Sequence, residues 1–139
     1  MYPLRLRALM AAMALTGCSE WEQEHAVPSP DRKLLAVVEY KNSAACCSDH
    51  SRVRLENAEG VTLAEPVLAA KITNSKVRVR WINDEKLVIE ACSATEIEMQ
   101  TRVLREPATR EDGSLNAIHV SVVTGTKTVL DGETYCSEQ

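Results

Sequence analysis

The sequence predicts a small, mainly β domain, built as a single antiparallel β-meander or sandwich and held by two disulfides. The chain of 139 residues contains no Phe and few other aromatic residues, so its core must come from Val, Leu and Ile, which favour strands. Several segments alternate apolar and charged residues, the period of a strand with one buried face. Four cysteines beyond residue 18 form an even set, which in an exported domain indicates two disulfides.

The first residues carry the features of a secretory signal. Arg5 and Arg7 precede an apolar run over residues 9–15, and this run is far shorter than the roughly 20 residues of a membrane-spanning helix. Leu15-Thr16-Gly17-Cys18 follows directly. These four residues resemble the lipobox of bacterial lipoprotein precursors at every position. The resemblance implies a signal peptide over residues 1–17 and cleavage before Cys18.

By the same resemblance, the sulfur of Cys18 carries a diacylglycerol and its new amino group carries a third acyl chain. More than one acyl chain is sufficient for stable membrane anchoring. Ser19 stands where lipoproteins retained in the inner membrane typically carry Asp, so the resemblance implies the outer membrane, facing the periplasm. The alternative for Cys18 is a fifth disulfide-type thiol.

Removal of residues 1–17 leaves 122 residues, the length of one ordinary domain, and no second domain is expected. The remaining chain has 14 basic and 20 acidic residues, a formal net charge of −6. This balance argues against nucleic acid as a partner. We expect residues 18–30, which are polar, acidic and rich in Pro, to form a flexible tether, with the β domain over residues 31–139. Within the tether, Trp21 lies either at the membrane interface or in solvent.

The strands are expected in the following order. A turn at residues 29–33 precedes a buried strand over 34–40, a loop over 41–49, an alternating strand over 51–56 and a turn at 57–60. Because Pro66 interrupts residues 61–70, we expect a short edge strand and a connection there. Residues 76–82 and 86–91 predict a β-hairpin.

The C-terminal third is less regular. Ser93 and Glu96 imitate a helix capping box, but residues 96–104 alternate and include β-branched side chains, so we favour a strand over a helix. Residues 105–114 predict a loop. Residues 115–123 and 127–130 predict a last hairpin, and a disulfide at Cys136 is expected to attach the following segment to the domain.

The segment Ser29-Pro30-Asp31-Arg32-Lys33 resembles the Ser-Pro-Asp-Gly-Lys start of strands in periplasmic β-propeller repeats and in many small uncharacterised exported bacterial proteins. Residues 79–89 look like a second, eroded copy. The chain is too short for a ring of blades, and Arg32 replaces the usual Gly. The resemblance therefore implies one β-meander or two small sheets with blade-like turns, and it implies no catalytic residues.

The cysteines of the domain are Cys46, Cys47, Cys92 and Cys136. A bond between the neighbours Cys46 and Cys47 would strain the peptide between them. We therefore expect Cys46 and Cys47 to form disulfides with Cys92 and Cys136, with the connectivity left open. The alternative is a metal or redox site built from Cys46, Cys47, Asp49 and His50. It is disfavoured because no Cys-x-x-Cys spacing is present.

Other chemistry is scarce in the sequence. It contains no nucleophile elbow, no phosphate-binding Gly-rich loop and no His-Glu-x-x-His motif, so we expect no enzyme activity, cofactor or metal. Glu96 and Glu98 share one strand face and are expected to be solvated or paired with cations. His119 is out of phase with its apolar neighbours and is expected to point outward.

One surface cluster is a candidate site for an anionic envelope component or an envelope protein. Its basic residues should lie on the polar faces of two strands. They are Arg52, Arg54, Lys76, Arg78 and Arg80. The alternative, which we favour, is that Glu56, Glu96 or Glu98 neutralise them across the sheet.

These observations predict a lipid-anchored envelope protein with a non-enzymatic binding or structural role. A domain that inhibits or escorts another exported protein is a variant of the same hypothesis. The alternative is an exported redox or metal-dependent enzyme that uses Cys46, Cys47 and His50.

Overall fold

A computed structural model describes residues 20–41, 49–72, 77–130 and 133–137. These residues form eleven strands and contain no helix, in agreement with the predicted mainly β class. In chain order the strands are β1 (Glu22–Pro28), β2 (Leu34–Lys41), β3 (His50–Asn57), β4 (Thr62–Ile72), β5 (Arg78–Asn83), β6 (Lys86–Glu90), β7 (Ala94–Met99), β8 (Arg102–Thr109), β9 (Leu115–Val123), β10 (Thr126–Leu130) and β11 (Glu133–Ser137).

The strands form two main sheets and a separate hairpin. A five-stranded sheet has the order β1-β2-β3-β4-β7, and each neighbouring pair is antiparallel. A four-stranded sheet has the order β5-β6-β9-β8, in which β6 and β9 run parallel. Strands β10 and β11 pair only with each other. The fold is therefore mixed, whereas the sequence pattern predicted antiparallel pairing throughout.

The two main sheets pack against each other around one aliphatic core. Val53 and Leu55 of the five-stranded sheet and Leu87 and Ile89 of the four-stranded sheet are fully buried members of the same cluster. Burial of each such side chain contributes about 1.5–3 kcal/mol. The expected core of Val, Leu and Ile is confirmed.

Two hydrogen bonds link the sheets along one side of the domain. The indole Nε1 of Trp81 on β5 donates to the carbonyl oxygen of Val27 on β1 at 3.0 Å. The backbone N–H of Asp31 donates to the carboxylate of Asp84 at 2.8 Å. The second bond joins the β1–β2 turn to the β5–β6 turn, the two segments with the propeller-like sequence pattern.

The β1–β2 turn has the conformation that its sequence predicts. Arg32 N–H donates to the carbonyl oxygen of Ser29 at 2.9 Å. The carboxylate of Asp31 accepts hydrogen bonds from the Ser29 hydroxyl and the Lys33 N–H, and these bonds lower the pKa of Asp31. Arg32 has φ 59°, in the left-handed region that favours glycine. The departure from the Ser-Pro-Asp-Gly-Lys pattern therefore falls on the residue where Gly has a conformational advantage.

Arg32→Gly should raise the free energy of unfolding by about 0.5–1 kcal/mol, measured by urea denaturation. Relief of the left-handed strain contributes about 1–2 kcal/mol, and the greater freedom of Gly in the unfolded chain offsets part of it. Arg32→Ala is the control, because it removes the charged side chain and keeps the Cβ atom. An equal gain from Arg32→Ala would show that the charge, and not the backbone angle, is responsible.

The predicted tether is wrong for most of its length. Residues 22–28 form β1 and pair with β2 from Glu22↔Tyr40 to Pro28↔Leu35. Ala26 and Val27 are half-buried, and β1 satisfies backbone groups that β2 would otherwise expose at the edge of the sheet. The acidic composition concealed this strand, which lies at the edge of the sheet with Glu22 exposed and Glu24 half-buried.

The expectation of an edge strand at residues 61–70 is also wrong. Strand β4 lies between β3 and β7 and runs for 11 residues. Its register shifts between Val53↔Leu68 and Leu55↔Ala64, a β-bulge in which Pro66 needs no regular ladder partner. The bulge explains how an interior strand contains a proline.

Three further expectations are corrected in the C-terminal third. The strand predicted over residues 96–104 is two strands, β7 and β8, which belong to different sheets. Strand β8 continues to Thr109 through part of the predicted loop, since it is an edge strand that tolerates Pro107. Strand β10 pairs with β11 and not with β9.

Candidate functional site

Arg52 and Arg54, two members of the predicted basic cluster, lie on the outer face of the five-stranded sheet. They alternate with Val53 and Leu55 of the core and flank Glu39 of β2. Arg52 Nε lies 2.6 Å and Arg54 Nε 3.1 Å from the two carboxylate oxygens of Glu39. Glu39 is only 8% exposed. One buried carboxylate thus bridges both guanidinium groups.

Further carboxylates neutralise these two arginines. Arg52 also pairs with Glu65 at 2.7 Å, and Arg54 pairs with Glu56. Burial alone lowers the pKa of Arg54, but its hydrogen bonds to Glu56 and Glu39 outweigh this effect and raise the pKa above its usual value. Ion pairing is therefore confirmed for Arg52 and Arg54, but the cross-strand partners are Glu39 and Glu65, which were not predicted, whereas Glu56 pairs with Arg54 along the same strand.

Trp21 packs against the same outer face. The guanidinium carbon of Arg52 lies 4.4 Å from the centre of the indole ring, and Lys41 Nζ lies 5.9 Å from it. Such cation–π contacts contribute about 0.5–1 kcal/mol at exposed sites. Trp21 is half-buried against the sheet, so the expectation of a solvated Trp in a flexible arm is wrong.

The structure does not bring the predicted basic cluster together. Arg78 and Arg80 alternate with Val79 and Trp81, which pack on the core, so their side chains lie on the outer face of the other sheet. Glu90 is the cross-strand neighbour of Arg78. Lys76 lies outside the described residues. The five basic residues are therefore not one patch.

A different basic cluster forms on the outer face of the four-stranded sheet. Lys86 on β6 is the cross-strand neighbour of His119 on β9, and His119 is the neighbour of Arg102 on β8. Arg80 lies on the same face, opposite Val88. All four side chains are exposed. We call the set of Arg80, Lys86, Arg102 and His119 the cationic face.

The charges of the cationic face are not neutralised by the described part of the chain. Among residues 20–41, 49–72, 77–130 and 133–137, no ion pair joins a carboxylate to Arg80, Lys86 or Arg102. Large apolar side chains are also exposed on these strands. They are Ile82, Leu104 and Leu115, which are 50%, 52% and 48% exposed. The surface thus combines cations with aliphatic groups.

Sequence reasoning found Arg80 but missed Lys86 and Arg102 as members of a cluster. Each stands alone in the sequence, and the three strands β6, β9 and β8 become neighbours only through the parallel pairing of β6 with β9. The outward position of His119 was predicted from its alternation with Ile118 and Val120, and it is confirmed. This prediction and the alternation that places Arg80 outward are the local signals for this surface.

The disulfide pairing differs from the expected one. Cys92 is bonded to Cys136, with Cα atoms 5.2 Å apart, so neither can capture Cys46 or Cys47. The Ser93 N–H donates to the carbonyl oxygen of Gly125 at 2.8 Å, which holds the start of the β10–β11 hairpin beside Cys92. The expected long-range bridges from Cys46 and Cys47 to these residues are therefore wrong.

The metal or redox alternative remains a prediction. Cys46 and Cys47 lie outside the described residues, while His50 is the first residue of β3 and pairs in register with Lys41 and Lys71. Within the part of the chain that the structure describes, no three His, Cys, Asp or Glu side chains are grouped as metal ligands would be.

Lys71 Nζ lies 3.5 Å from the carboxylate of Glu96, which confirms the expectation that Glu96 pairs with a cation.

Comparison with known proteins gives no assignment. No protein-family model, curated protein or solved structure matches the chain. None of the described segments is a helix long and apolar enough to cross a membrane.

Proposed function

We propose that this protein is a lipid-anchored protein of the cell envelope and that its β domain is a non-enzymatic binding module. The observation that carries the proposal is the cationic face, a group of exposed cations without carboxylate partners in the described residues of an acidic chain. The lipobox-like Leu15-Thr16-Gly17-Cys18 supplies the proposed anchor, and Ser19 favours the outer membrane, facing the periplasm.

The charge distribution supports a binding role for this face. On the five-stranded sheet, carboxylates neutralise Arg52 and Arg54. On the four-stranded sheet, Lys86 and Arg102 lie on the strands either side of His119, and no ion pair within the described residues neutralises them. A bound anion would supply the missing negative charge, so the arrangement is suited to binding.

The short distance from Cys18 to the sheet supports a role at the membrane surface. Three residues, 19–21, separate Cys18 from the start of β1 at Glu22. The four Cα–Cα steps from Cys18 to Glu22 span at most about 14 Å even when fully extended. An acylated Cys18 would therefore hold the domain close to the lipid surface instead of on a long arm.

Acylation of Cys18 predicts that the protein partitions into the detergent phase in a detergent phase-separation assay. The intact mass should correspond to residues 18–139 plus the acyl groups. Cys18→Ala should move the protein to the aqueous phase, since it removes the acceptor of the diacylglycerol.

Ser19→Ala is the matched control, because it changes the neighbouring side chain and keeps the acceptor. An unmodified Cys18 in protein purified from the envelope would contradict the proposal. Combined Lys86→Gln and Arg102→Gln should leave detergent partitioning unchanged, because the anchor does not depend on the cationic face.

A further inference from the structure

The cationic face has the geometry of a flat, laterally extended surface. Lys86, His119 and Arg102 occupy one row across the adjacent strands β6, β9 and β8. Neighbouring strands are about 4.8 Å apart, so the backbones of Lys86 and Arg102 lie about 10 Å apart with His119 between them. Arg80 extends the same surface to the edge strand β5.

The side chains around this row are aliphatic. Ile82 lies at the β5 end, and Leu104 and Leu115 lie on β8 and β9 beyond His119 and Arg102. Two carboxylates, Glu90 and Glu106, also belong to these strands. Neither forms an ion pair with Arg80, Lys86 or Arg102 within the described residues. Cations with exposed aliphatic side chains are the combination found on proteins that rest in the headgroup region of a membrane.

A protein partner fits this surface less well. The central contacts of protein interfaces are enriched in Trp, Tyr and Arg, and of these residue types the described part of this face presents Arg80 and Arg102. Trp21 and Tyr40 belong to the five-stranded sheet, and Trp81 points inward, where its indole donates to Val27. The exposed aromatic anchors typical of such an interface are therefore absent among the described residues of this face.

We propose that the cationic face rests on the anionic phospholipid surface to which the protein is anchored, an inference that depends on the anchor proposed above. The ammonium group of Lys86 and the guanidinium groups of Arg102 and Arg80 bind lipid phosphates, and the His119 ring is a further polar contact. Ile82, Leu104 and Leu115 enter the headgroup region. The acyl chains keep the face at high effective concentration near the lipid, so weak contacts are sufficient.

This arrangement fixes the orientation of the domain. The four-stranded sheet contacts the lipid, and the anchor must reach the lipid past the edge strand β1, because Trp21, three residues after Cys18, packs on the outer face of the five-stranded sheet. The charges of Arg52 and Arg54 on that second face are already neutralised by Glu39, Glu56 and Glu65. The anchor alone would leave the domain free to tumble, and the cationic face removes that freedom.

The experiment measures lysine acetylation by mass spectrometry in protein purified from membranes and reconstituted into vesicles. Vesicles of phosphatidylcholine alone are compared with vesicles that also contain phosphatidylglycerol. Lys86 should be protected in the anionic vesicles, whereas Lys71, on the opposite face, serves as the internal reference. Removal of one cation should lower, by about fivefold, the ratio of protein with the cationic face bound to lipid to protein with this face free. Arg102→Gln should thus reduce the protection of Lys86 relative to Lys71.

Flotation with phosphatidylcholine vesicles reports the anchor separately. Protein that fails to float with neutral vesicles overturns the anchor, and the orientation proposal with it. Protein that floats but shows equal Lys86 acetylation in both vesicles overturns the orientation alone. Protection in neutral vesicles that increases with protein density indicates a second copy on this face and also overturns it. Protection in whole envelopes without protection in anionic vesicles indicates a protein partner, with the same consequence.

Discussion

Replacement of both Cys92 and Cys136 by Ala should lower the free energy of unfolding by about 3–4 kcal/mol, because the bridge closes a loop of 44 residues in the unfolded chain. Cys92 is buried, so loss of its packing adds to the entropic effect. Urea unfolding of the oxidised protein measures the change. The loss is a large part of the 5–15 kcal/mol that stabilises a typical domain, so the variant should also melt at a clearly lower temperature.

The matched control is replacement of Cys46 and Cys47 by Ala, which leaves the Cys92–Cys136 bridge in place. In that variant, peptide mapping under non-reducing conditions should still recover the peptides of Cys92 and Cys136 as one linked species. A linked species that joins either of them to Cys46 or Cys47 in the natural protein would contradict the pairing.

The disulfide is an example of a feature of the fold that could not be predicted from the sequence. Local features were predicted well: the alternation around Val53 identifies β3, and the turn at residues 83–85 identifies the hairpin of β5 and β6. These features depend on neighbours in the chain. The partner of Cys92 depends on where β9 ends, since Gly125 accepts a hydrogen bond from Ser93. Loop-closure geometry of this kind leaves no periodic signal in the sequence.

The same reasoning applies to the candidate site. The alternation in residues 76–82 placed Arg78 and Arg80 on one strand face, and the structure has them there for the described residues. Grouping Arg78 and Arg80 with Arg52 and Arg54 required the assumption that β5 and β3 are close. These two strands belong to different sheets. Lys86 and Arg102 could be joined only by knowing that β9 inserts between β6 and β8. Non-local pairing, and not side-chain chemistry, was the missing information.

Glu39 was not identified as an ion-pair partner, although its register explains its position. It ends an apolar run, which indicates a buried strand, and burial of a carboxylate requires compensation by cations. Arg52 is its direct cross-strand neighbour, and Arg54 is the neighbour of Val37 on the same face. A pairing of 34–40 with 51–56 in this register would have predicted the bridge from sequence.

Glu39→Gln should therefore lower the free energy of unfolding by about 2–3 kcal/mol. The substitution keeps the side-chain shape but removes the buried carboxylate that accepts from both guanidinium groups, and the amide nitrogen of Gln cannot accept a hydrogen bond in place of the lost oxygen. Arg52 and Arg54 retain Glu65 and Glu56, so the loss should stay below that of a wholly unpaired buried charge. Denaturant unfolding at neutral pH measures the effect.

Glu96→Gln is the matched control on the same sheet face, because the carboxylate of Glu96 is mostly exposed and pairs only with Lys71 among the described residues. An exposed pair of this kind contributes at most about 1 kcal/mol, so its loss should be much smaller. Equal effects of the two substitutions would mean that Glu39 contributes no more than an exposed ion pair, and that Glu65 and Glu56 are sufficient to neutralise Arg52 and Arg54.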